Sequence, residues 1–157
     1  MTWPLPATLI PHRPPQLYLT RITEAEVGGE HPRIVAEGDF LPEDFPGHFP
    51  GRTIVPGVVY VEALAQALAC LAALSGEGGA HVLTGIEKAR FRGICAPPAT
   101  LTFEVEVHER RFGLTWAKGR VRHGPTTLCT VTLQAGGMPE EVKRAVMGDD
   151  APAEKPA

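Results

Sequence analysis

Three features between residues 48 and 62 could do chemistry. His48 stands in the run Pro46-Gly47-His48-Phe49-Pro50-Gly51. Proline fixes the local backbone, and glycine permits turns and close approach of a ligand or a second chain. Such a frame holds an imidazole in one orientation, and imidazole is the usual base near neutral pH. The plain alternative is a polar loop residue without a task. Glu62 is the only charged residue between Arg52 and Glu77. It falls in an apolar stretch with helical character, and residues four apart share a helix face, so Glu62, Gln66 and Cys70 form a stripe. Burial there raises a carboxyl pKa toward neutrality, the condition for a general acid. The alternative is a carboxylate reaching solvent near the helix start, where the dipole favours it. Pro56-Gly57 opens the same stretch. Free N–H groups at a helix N-terminus can bind a developing oxyanion, and a glycine lets a carbonyl come close. Taken alone, this is an ordinary helix start.

Other chemistries lack their motifs. His12, His31, His81, His108 and His123 have no ligand spacing, and Cys70, Cys95 and Cys129 form no CxxC or Cys/His pattern. A structural zinc site is therefore not expected. No GxGxxG, Walker, GxSxG or HExxH run occurs, so no nucleotide, metal or redox cofactor is implied. A net charge of −3 argues against an electrostatic nucleic-acid binder. The N-terminus lacks the basic start and apolar run of a signal peptide, and the sparse, odd cysteines fit a reducing cytoplasm.

The elements that must position these residues follow from patterning. With 157 residues, 43% of them hydrophobic and 21% charged, one globular domain is expected. Residues 1–16 are proline-rich and read as irregular. Strands are expected over Leu17–Ala25 and Arg33–Phe40, then a Pro/Gly-rich loop over 41–57. Gly57–Leu74 reads as a helix that is apolar nearly all round. It approaches membrane-spanning length, but Glu62 and Gln66 inside it favour a buried core helix. Strands follow at His81–Phe91, around Leu101–Val107 with strict alternation, at Leu114–Val121 and at Leu128–Leu133. The short connections among the last of these predict an antiparallel meander. One helix on one antiparallel sheet is an α+β layer arrangement that invites a partner, so a homo-oligomer is expected. The domain is placed at 1–137. Residues 138–157 are read as a short helix followed by a charged, flexible tail.

The string DFPGHFPGRTIVPGVVYVEALAQ closely resembles the 3-hydroxyacyl-acyl-carrier-protein dehydratases of bacterial fatty-acid synthesis, the FabZ type. LIPHRPPQLYLTRI at 9–22 and LTGIEKARFRGICAPPATLTFEVEV at 83–107 extend the resemblance over roughly residues 9–135. It implies a hotdog fold, in which a long helix is wrapped by an antiparallel sheet. His48 then matches the family's active-site histidine, and Glu62 its helix glutamate, supplied by the other subunit of a dimer. Gly57 matches the glycine whose N–H holds the thioester carbonyl. The implied partners are an acyl carrier protein and a second copy, with a trimer of dimers as a further assembly. No membrane span or nucleic acid is implied. Carrier proteins are acidic, so a basic rim of Lys88, Arg90, Arg92, Arg110 and Arg111 is expected to dock one. The sequence departs from the family at Thr20, Thr53, Ala96-Pro97-Pro98-Ala99 and in its C-terminal extension.

Elimination from a 3-hydroxyacyl thioester needs a base at Cα, an acid at the β-hydroxyl and stabilisation of enolate charge on the carbonyl. His48, Glu62 and the Gly57 N–H are assigned these roles. A hotdog acyl thioesterase and a non-catalytic acyl-binding subunit of a synthase complex are the alternatives on the same fold.

Overall fold

The computed structural model describes residues 2–78 and 80–148. Alternation along the strands decides which face meets the helix. On β4 (Ala99–Arg111), Leu101, Phe103, Val105 and Val107 are buried while Glu104 and Glu106 face outward. The same period runs through β2 (Arg33–Phe40), β5 (Leu114–His123) and β6 (Thr126–Gly137). With β1 (Arg21–Glu26) and β3 (His81–Phe91) they form one six-stranded sheet ordered β1-β2-β4-β5-β6-β3, antiparallel at every pairing.

Helix α2 (Gly57–Leu74) lies on the inner face, with Ala63, Leu64, Ala67, Cys70 and Leu71 fully buried. Gly119 lets the sheet approach it: a Cβ there would stand 2.8 Å from a Leu64 methyl carbon. By length and composition α2 could cross a membrane, but two-thirds of it is buried within this fold, as a core helix should be. The expected meander holds for β4-β5-β6, whereas β3 crosses over to pair with β6. It thereby becomes an edge strand, with Val82, Leu83, Ile86 and Phe91 exposed.

Two sequence expectations change. The strand expected from Leu17 begins only at Arg21, because the Tyr18 N–H donates to the Gln66 side chain instead of to a neighbouring strand. The N-terminal segment holds a one-turn helix, α1 (Pro6–Leu9), where the proline sits at the first turn and its missing N–H costs nothing. Ile10, just after it, is buried and anchors it. A short helix does follow residue 138, α3 (Glu140–Met147). The flexible tail expected beyond it lies outside the described residues.

Candidate active site

The loop before α2 orients His48. Phe49 and Arg52 exchange backbone hydrogen bonds of 3.1 Å in both directions. They close a turn with Pro50 at its first central position and Gly51 at φ +84° at its second, the arrangement that demands Pro-Gly. The Ile54 N–H donates to the His48 carbonyl at 2.7 Å, and His48 Nδ1 lies 3.1 Å from the Ile54 carbonyl. A carbonyl only accepts, so Nδ1 carries the proton and donates it, and in the neutral ring Nε2 holds the free lone pair. The ring stacks on Phe49 with centroids 4.3 Å apart.

Glu62 lies one and a half turns into α2. Gln66, on the same face, donates from Nε2 to Glu62 Oε1 at 3.0 Å. His12 Nε2 stands 3.4 Å from that same oxygen. Both contacts fall on Oε1, and Oε2 has no partner among the described residues. Gln66 is itself almost fully buried. Its Oε1 accepts the Tyr18 N–H at 3.0 Å, and its Nε2 also donates to the Gln16 carbonyl at 2.7 Å.

These contacts correct the expectation of a carboxyl raised toward neutrality. Desolvation does push Glu62 upward. The polar contacts from His12 and Gln66 together outweigh it and hold the group below the ordinary carboxylate range. Glu62 is therefore an anchored carboxylate in the single chain, with one oxygen open. Sequence reading passed over His12 because it lacked metal-ligand spacing. Its place in the segment LIPHRPP was the available signal.

At the start of α2, helix geometry leaves the Gly57 and Val58 N–H groups without intrahelical acceptors. The Phe91 ring lies against Gly57, where a Cβ would come within 3.0 Å of a ring carbon. A side chain at position 57 would therefore displace this ring at the mouth of the helix.

A cavity of about 480 Å³ opens beside Glu62. His12, Gln66 and His81 supply its polar lining, and Ala65, Ala69, Leu83 and Ala135 are among its apolar walls. Neither His48 nor Gly57 borders it, so the single chain presents the histidine and the glutamate separately. The five expected basic residues also divide. Arg110 and Arg111 lie beside the β4–β5 hairpin, paired with Glu77 at 3.0 Å and Glu109 at 3.1 Å. Arg90 belongs to the far end of β3 and Arg92 follows it, close to Phe91 and Gly57. Lys88 lines a separate concavity with Lys118 and Arg120. Among the described residues, no group of three or more His, Cys, Asp or Glu side chains is placed to hold a metal ion.

One long helix wrapped by a single antiparallel sheet is the hotdog arrangement, and solved structures share it. A chain of the dehydratase heterocomplex ApeI:P from Xenorhabdus doucetiae superposes with a TM-score of 0.75 at 12% identity, over 94% of this chain and 99% of that one. A hypothetical thioesterase with coenzyme A from Streptococcus pneumoniae superposes at 0.59 and 10% identity, over 75% and 84%. At such identities these likenesses establish the fold and no more. The chain belongs to the FabA-like family, whose domain model matches residues 10–132. It is 37% identical over 130 residues to the 3-hydroxyacyl-[acyl-carrier-protein] dehydratase FabZ of Alkaliphilus metalliredigens, covering 80% of this chain and 86% of that protein. The FabZ of Yersinia enterocolitica matches at 37% over 129 residues, 80% and 76% of the two chains.

Proposed function

We propose that this chain dehydrates 3-hydroxyacyl thioesters carried on acyl carrier protein to trans-2-enoyl thioesters. The observation that carries this reading is the pair of oriented groups with one open atom each, Nε2 of His48 and Oε2 of Glu62, in a chain more than one-third identical to named dehydratases. His48 Nε2 removes the proton from Cα, and the electron pair moves toward the thioester carbonyl. The N–H groups at the start of α2, Gly57 foremost, hold the developing enolate oxygen. Collapse of the enolate forms the Cα–Cβ double bond and expels the β-hydroxyl, which takes a proton from the Glu62 carboxyl and leaves as water. Glu62 enters that step in its acid form, which further desolvation by the acyl chain and a second copy favours.

The working unit in this reading is a homodimer, with trimers of dimers a further assembly, acting in the cytoplasm. The separation of His48 from the Glu62 cavity and the exposed apolar β3 edge both support it. Each site then takes His48 from one copy and Glu62 from the other. Arg90 and Arg92, which flank Phe91 in sequence, are the foremost proposed docking residues for the acidic carrier, with Lys88, Arg110 and Arg111 beside them in the proposal.

The test is reversible hydration of a trans-2-enoyl thioester, on carrier and on a pantetheine mimic. His48→Ala and Glu62→Gln should each lose about a hundredfold or more while staying folded. Mixing the two inactive variants with subunit exchange should restore about one quarter of wild-type activity, because half the dimers hold one intact site. No recovery despite exchange would refute the shared site. Release of free carrier thiol without enoyl product would move the assignment to a thioesterase.

A further inference from the structure

Helix α3 lies outside residues 10–132, which the family model matches, yet it reaches the cavity beside Glu62. Its attachment is specific. The Met138 N–H donates to the Ala80 carbonyl at 3.0 Å, tying the start of the helix to the segment after α2. Lys143 is only 7% exposed; its Nζ lies 3.3 Å from Glu140 and comes beside Gly78. Glu140 and Glu141 occupy the first turn, where the helix dipole favours acids. With α3 held on its Lys143 side, Val146 is carried to the cavity wall, where Met138 joins it. Val146 also borders a shallow groove along residues 7–11, so α3 bridges the N-terminal segment and the cavity.

The cavity lining is mixed: Glu62, His12, Gln66 and His81 are polar, and Ala65, Leu83, Met138 and Val146 contribute apolar wall. A ligand that fits this lining has a polar reacting head and an apolar tail. We propose that α3 and the connection leading into it, through Val146 and Met138, form the outer wall of the acyl-chain site and set the longest chain this protein accepts. The inference rests on the dehydratase reading for the identity of the head group, but the wall itself is a property of this segment.

Val146 is half exposed, so substitution there leaves the fold intact. Val146→Trp and Val146→Ala should be compared with wild type on crotonyl, trans-2-octenoyl and trans-2-hexadecenoyl pantetheine thioesters. Tryptophan should lower kcat/KM for the longest chain at least about tenfold relative to crotonyl, since a single methylene of misfit at an apolar wall is already worth about that much, and alanine should raise it. Crotonyl, with the shortest tail, is the internal reference within each variant. An unaltered length profile in both variants overturns the proposal. If wild type hydrates none of the substrates, the dehydratase reading fails, and calorimetric binding of saturated acyl-pantetheine thioesters then decides the role of α3. Weaker binding of long chains by Val146→Trp sustains the wall, and equal binding at every length overturns it.

Discussion

Replacing Gln66 by methionine isolates what one buried amide does for the glutamate beside it. The two side chains are close in length and volume, so no cavity forms and the change is one of hydrogen bonding. Three bonds go: to the Tyr18 N–H, to the Gln16 carbonyl and to Glu62 Oε1. Gln16 is exposed, so its carbonyl recovers water and loses little. The Tyr18 N–H is half-buried and is left short of an acceptor, which costs about 1–2 kcal/mol. The bond to the carboxylate is charge-assisted, but Glu62 is itself half-exposed and solvent replaces part of it. Methionine regains some stability through apolar burial. The net expectation is a loss of about 2 kcal/mol in urea unfolding at pH 7, or about 4–8 °C in Tm at fixed protein concentration. The substitution also removes one of the contacts that lower the Glu62 carboxyl, so the pH at which this group titrates should move upward. A loss below about 0.5 kcal/mol together with an unmoved Glu62 titration would refute this account of Gln66.

Glu62 is held below the ordinary carboxylate range, so its contribution to stability is complete above about pH 4–5 and is lost as pH falls through its lower folded value. His12→Ala should shrink that contribution, and unfolding free energies measured from neutral to acid pH should show a smaller difference between the two ends. Equal pH dependence in the variant and wild type would contradict the His12 contact. Gly57→Ala should leave Tm within a few degrees, because Phe91 is half exposed and can yield, and alanine favours helix. Enoyl hydration should nonetheless fall as the ring is displaced at the helix start; an unchanged kcat/KM would remove Gly57 from the site. Burial pushes the Cys70 thiol up to about 12 and the Cys129 thiol up to about 11, and Cys95 is raised too. All three should resist a thiol reagent at pH 8 until the protein unfolds, and rapid labelling of the native protein would contradict the packing described.

Much of the molecule was legible in the chain because the deciding signals are short-ranged. The helix over Gly57–Leu74 follows from an unbroken apolar run after Pro56, and the inner face of β4 from period-two alternation. The Phe49–Arg52 turn follows from Pro50-Gly51. Glu62 stood out as the one charge in an apolar helix, and His48 and Gly57 by the Pro/Gly runs around them. What only the tertiary structure decided depends on contacts between residues far apart in sequence. The crossover that makes β3 an edge strand depends on competition among strands for neighbours, which alternation cannot rank. The ionisation of Glu62 depends on His12, fifty positions earlier, reaching the same carboxylate oxygen as Gln66. Burial alone would have driven that carboxyl the other way, and no local pattern shows that the opposing contacts win. The placement of Val146 on the wall of that cavity likewise arises only when α3 folds back onto the segment after α2.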